Sequence, residues 1–206
     1  MTGERGAYAK GLARRDQIIA GAIELFGRIG YRNATILDIA THVGISRTGL
    51  LHHFPSKEAL LKAVLAKRDI DDIERFGRSE EPLGDLRNLV ELVRHNASIP
   101  ELVGLFAVLS AEAADPAHPA HDYFIRRYER ARSGMREALV RAREAGLLAS
   151  GVDVDHEARA LVALLDGLQI QWLLAPDQVD MTRELTAELE QLLVVPLNIA
   201  ADAAGG

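Results

Sequence analysis

The stretch TILDIATHVGISRTGLLHHFPSKEAL, Thr35–Leu60, alternates helix starts and stops in quick succession. Thr35 is a good N-cap for a helix whose inner face is Ile36, Ile39, Ala40 and Val43. Gly44 stops that helix after little more than two turns. Ser46 offers a fresh cap, and the helix it opens runs to about His52 before Phe54-Pro55 closes it. Ser56 then caps a longer helix with Leu60, Leu61, Val64 and Leu65 turned inward. Helices of about two turns are marginal alone in water, so these two must pack on their neighbours. The helix after Ser56 is one. The other is Arg14 to Ile29, whose Ile18, Ile19, Ala22, Leu25, Phe26 and Ile29 form one stripe and which Gly30 ends. Two short helices joined by a tight turn present the second outward, at a size that enters the major groove of duplex DNA. Its exposed positions are expected to be Arg47, Thr48, Leu51 and His52, with Ile45 and Leu50 anchoring it from behind.

The rest of the chain also reads as helix, with no alternating strand and no Asn-Gly or Asp-Gly hairpin signal. The loop EEPLGD precedes helices over Leu86–Ser98 and Pro100–Ala114, the second apolar around most of its circumference. DPAHPAHD connects to a helix from about Tyr123 to Ala145, ended by Gly146. Asp153 caps VDHEARALVALLDGLQIQWLL, Pro176 breaks it, and a last helix runs from about Gln178 to Ile199. The tail AADAAGG is expected to fray. The fold class is therefore all-α.

Charge divides the chain in the same place. Through Arg68 there are eleven Lys and Arg against five Asp and Glu, a balance of +6; the remainder carries thirteen against twenty-five, a balance of −12. A basic front on an acidic body suits a polyanionic partner at the front. The chain has no cysteine, which excludes disulfides, thiolate zinc sites and cysteine nucleophiles. No segment reaches the length of a membrane span or signal peptide, so no membrane partner and a cytoplasmic location are expected.

TILDIATHVGISRTGLLHHFPSKEALL resembles the signature of the TetR family of bacterial transcriptional regulators. That signature is a Thr-x-x-x-Ile-Ala block, a Gly-Val-Ser-type turn, an aromatic-His-Phe and a Ser-Lys-Glu-x-Leu. The match covers roughly Arg14 to Lys67. The resemblance implies a three-helix helix-turn-helix domain over residues 10–67 and a larger helical effector-binding and dimerisation domain over 68–200. It also implies that Thr35 and Lys57 contact phosphates and that Arg47 and Thr48 read base edges. Leu51 departs from the pattern, because the family usually carries there a tyrosine whose hydroxyl holds a phosphate. Leu51 is then free to meet a thymine methyl, and His52 or His53 to take over the phosphate. Arg14 and Arg15 are candidates for further backbone or minor-groove contacts. The rival reading is a helical interaction protein that keeps the fold and has lost specific DNA binding, with Leu51 its best support.

Catalytic signatures are absent: no Gly-x-Ser-x-Gly, no phosphate-cradling glycine loop, no His-Glu-x-x-His. His118 and His121 are three apart, but the prolines around them favour a surface loop over a metal site. No catalytic residue, metal or cofactor is expected. The apolar segment LVGLFAVLSAEAA and the helix of Trp172 instead suggest a small-molecule effector pocket lined by Leu105, Phe106, Leu109, Tyr123, Tyr128 and Trp172. The last two long helices carry more apolar surface than one domain needs. Leu161, Leu164, Leu165, Gly167, Leu168, Leu185, Leu189 and Leu192 are the expected homodimer surface, a four-helix bundle of two helices from each subunit. With the family resemblance, which favours a repressor over an activator, these readings imply a repressor released from a pseudopalindromic DNA operator by an effector.

Overall fold

The computed structural model describes residues 2–198, with side chains from residue 11 onward. The helices are α1 (Thr2–Ile29), α2 (Ile36–Val43), α3 (Arg47–His53), α4 (Lys57–Phe76), α5 (Gly84–Ala97), α6 (Pro100–Glu112), α7 (His121–Glu144), α8 (Val154–Leu174) and α9 (Met181–Leu192). The only extended pairing among the described residues is an isolated bridge between Leu148 and Leu193. The tail after Asn198, where fraying was expected, lies outside the described residues.

The chain divides into two compact units. One comprises the chain through Asp71 together with Glu101–Asp122; the other comprises Asp72–Pro100 and the chain from Tyr123 onward. The first unit thus takes in nearly all of α6, a helix that the sequence reading groups with the effector domain. In this unit α1 packs on α2 and α2 on α3. Ile18, Ala22, Phe26, Ile39, Ala40, Leu50, Leu60, Leu61 and Val64 are fully buried, and each of these apart from the two alanines contributes roughly 1.5–3 kcal/mol on burial. That tertiary packing is what lets an eight-residue α2 and a seven-residue α3 persist.

In the second unit α5 and α8 both pack on α9, around Leu86, Val90, Leu139, Leu161, Leu185 and Leu189. The Arg141 guanidinium pairs there with Asp85 between α7 and α5. Two ends differ most from the sequence reading. Helix α1 begins at Thr2 rather than near Arg14, and no proline precedes Pro55 to stop it. Helix α9 ends at Leu192, not Ile199: Leu193 is extended, and Val194 N–H donates to the Leu147 carbonyl at 3.0 Å. Pro196 then prevents the helix from resuming.

The residues expected at a dimer surface on α8 and α9 divide by burial. Leu161, Leu168, Leu185, Leu189 and Leu192 are buried within the single chain, and a side chain already enclosed by its own fold has no surface left for a partner. Leu164, Leu165 and Gly167 are half-buried, and the exposed apolar residues of α8 are instead Ile170, Leu173 and Leu174.

Candidate nucleic-acid interface

Two local devices fix the start of α2. The Thr35 backbone N–H donates to Asp38 Oδ2 at 2.9 Å, and the Asp38 N–H donates to Thr35 Oγ1 at 3.1 Å, a reciprocal capping box. The Thr35 hydroxyl also donates to Asp38 Oδ2 at 2.6 Å. These bonds hold the Asp38 carboxyl below its ordinary range, the side-chain bond from Thr35 contributing most. At the other end Gly44 adopts φ 73°, a left-handed C-cap that a side chain would strain. The Ile45 N–H returns to the Ala40 carbonyl at 2.9 Å.

Helix α3 starts immediately after this turn. Ser46 Oγ accepts from the Gly49 N–H at 3.0 Å, and the Phe54 N–H closes the far end on the Leu50 carbonyl. Seven residues span about 10 Å of helix, short enough for the major groove, which is about 12 Å wide. Leu50 and Phe54 are sunk in the core. Arg47, Thr48 and His52 are exposed and Leu51 and His53 half-buried, so the side turned to solvent is the one expected to face DNA. Ile45 behind the helix is half-buried.

Arg15 plays a part that sequence does not announce. Its guanidinium donates to the His53 carbonyl at 3.1 Å and lies 4.2 Å from the centre of the Phe54 ring. It therefore clamps the C-terminal end of α3 onto α1. Lys57, expected on a phosphate, turns its ammonium to the protein: Nζ donates to the carbonyls of Tyr31 and Ala34 at 2.9 Å each and to Arg32 at 3.4 Å. It also lies 4.3 Å over the Tyr31 ring. Tyr31 is the residue that sequence reasoning missed altogether. It is buried between Phe26 and His118, with both ring centroids 5.3 Å away. Burial, reinforced by the charge of Glu58, pushes its phenol up to about 12.

His118 is a core residue, contrary to the surface loop expected around it. Its Nδ1 accepts from the Ala120 N–H at 3.2 Å, which places the proton on Nε2, 3.6 Å from Glu112 Oε2. His121 Nδ1 meets the Ala113 carbonyl at 2.7 Å. Among the described residues no group of three histidine or carboxylate side chains is arranged to hold a metal.

The expected effector-pocket residues fall in different units. Leu105 and Leu109 are fully buried in the first, where Arg68 lies over Phe106 at 5.6 Å. Tyr123 and Tyr128 are half-buried in the second and Trp172 is buried there. Tyr128 donates to Asp166 Oδ2 at 2.8 Å, a partner the sequence did not suggest. Burial raises the Asp166 carboxyl, against the opposing pull of Tyr128 and Arg127.

The curated relatives that this chain resembles are described as regulators. The family model described as bacterial regulatory proteins, tetR family, matches residues 18–64. A second, described as the C-terminal region of BetI-type transcriptional repressors, matches residues 88–194. The HTH-type transcriptional regulator TtgR of Pseudomonas putida is 30% identical over 179 residues, 81% of this chain and 83% of its own. Among solved structures, the SmeT–triclosan complex superposes with a TM-score of 0.77 at 20% identity, covering 94% of this chain and 98% of that one. A regulator from Saccharomonospora viridis in complex with choline gives 0.72 at 24% identity, covering 88% and 97%. No helix among the described residues is long and apolar enough to cross a membrane. The chain belongs to the TetR family of bacterial regulatory proteins and is a DNA-binding transcriptional regulator.

Proposed function

We propose that this regulator is a cytoplasmic homodimeric repressor whose α3 reads a pseudopalindromic operator and which a small-molecule effector releases. The observation that carries the reading is α3 itself: it is capped at both ends and anchored by Leu50 and Phe54, with Arg47, Thr48 and His52 turned to solvent. Arg47 and Thr48 read base edges, and Leu51 meets a thymine methyl. His52 and His53 take phosphates. At α2 the Thr35 hydroxyl is committed to Asp38, so phosphate binding there falls to the unpaired backbone N–H groups of the first turn.

Two helices from each subunit form the dimer bundle. Its contact stripe on α8 runs through Gly167, Ile170 and Leu174, which share one side of the helix at spacings of three and four. The effector reading draws support from the choline and triclosan complexes of structural relatives. Effector and operator binding oppose each other by the same factor.

Selection on a random duplex library at two salt concentrations tests the core of this reading. An enriched inverted repeat supports a dimeric sequence-specific regulator. Recovery of no motif, with weak binding at low salt, overturns it in favour of an interaction protein. Ligand titration with and without the recovered duplex then tests effector coupling, and identical affinities in both would refute release.

A further inference from the structure

Lys57 is the first residue of α4, and an ammonium there stands at the positive end of the helix dipole. A lysine is at a disadvantage in that place unless its charge is compensated elsewhere. Its compensation is the turn between α1 and α2. Two of its donors meet carbonyls at 2.9 Å, a third approaches Arg32 at 3.4 Å, and the Tyr31 ring covers it at 4.3 Å. An ammonium has three N–H donors, so little of the group remains for an outside anion.

The carbonyls it holds matter because of where they stand. Tyr31 and Ala34 are 4% and 1% exposed, and Ala34 directly precedes Thr35, the cap from which α2 begins. Turning the ammonium out to a phosphate would leave both carbonyls without this donor and would remove the brace from the residue before the cap.

We propose that Lys57 is a positioning residue: it sets the start of α2 against DNA by binding the Tyr31 and Ala34 carbonyls, and it makes no phosphate contact. This rests on the DNA-interface reading above. A phosphate-neutralising lysine and a positioning lysine both weaken binding when removed, but they differ in salt dependence. Each lost phosphate contact lowers the slope of log K against log salt by about 0.9, whereas a displaced α2 lowers affinity at constant slope.

The test uses the full-length protein and the inverted-repeat duplex recovered by selection, with affinity measured across a salt series. Lys57→Ala and Lys57→Arg are both expected to weaken binding about tenfold or more with the slope unchanged. Arginine keeps the charge, but its planar fork does not match carbonyls converging on a point. Retained affinity in Lys57→Arg, together with a slope lowered by about 0.9 in Lys57→Ala, overturns the proposal. A second measurement needs no variant. In the wild-type protein the Lys57 ammonium nitrogen resonance, followed by NMR, is expected to show the same carbonyl-bound group with and without duplex. A shift of that resonance on adding DNA overturns positioning alone. A protein that enriches no duplex overturns the interface reading, and the proposal with it, even where the ammonium stays on its carbonyls.

Discussion

Tyr31 and His118 meet edge to face, ring centroids 5.3 Å apart and planes at 79°. One sits in the turn before α2, the other in the segment after α6, so the support of the helix-turn-helix includes a part of the chain remote in sequence. Burial lowers the pKa of His118, while Glu112 and Asp115 oppose the shift and Arg32 and Lys57 add to it.

That shift has a pH consequence. An imidazole that resists protonation in the fold contributes stability above its ordinary value of 6.5, and the contribution is lost as pH falls from there through the lowered folded value. Melting measured between about pH 7.5 and about pH 5 is expected to show His118→Phe losing less stability on acidification than wild type. Equal losses in the two proteins would mean that His118 does not titrate as described.

Close packing between α1 and α2 yields a contrast among glycines. A Cβ on Gly21 would stand 2.5 Å from Val43 Cγ2, so Gly21→Ala must push the helices apart at a cost of about 1–3 kcal/mol. Gly44→Ala meets no atom, but φ 73° strains it by about 1–2 kcal/mol. Gly11→Ala meets nothing at an ordinary helical φ and is expected to stabilise by about 0.5–1 kcal/mol. Denaturant titration of the three variants checks both the signs and the order.

Base reading should be concentrated in α3. Arg47→Ala is expected to relax preference at particular base pairs, with about 1–3 kcal/mol of discrimination lost if its contact is bidentate. The check is repeated selection with the variant; an unchanged motif assigns the reading to another residue.

An outward apolar residue of α8 and an inward one of α9 predict opposite phenotypes. Ile170 is 52% exposed and Leu189 fully buried. Ile170→Glu is expected to give a folded monomer by sedimentation, whereas Leu189→Ala should cost about 2–5 kcal/mol of stability. An Ile170→Glu protein that stays dimeric would remove this stripe from the interface.

The helix-turn-helix was legible in the sequence because its boundaries obey local rules. A left-handed glycine at 44, a serine cap at 46 and a threonine cap at 35 act within a turn of backbone, and neighbouring residues carry the whole signal. The outward side of α3 followed from the same spacing. Other features needed the tertiary structure, because their cause lies far along the chain. The length of α9 is set by a bridge between Leu148 and Leu193. The many apolar residues of α8 gave no means of telling those packed within the chain from those left exposed. The family resemblance suggested a phosphate for Lys57, and charge and position suggested DNA for Arg15. Only the folded chain brings the Tyr31, Ala34 and His53 carbonyls close enough to take both cations inward, because a long flexible side chain goes to whichever acceptor packing places within its reach.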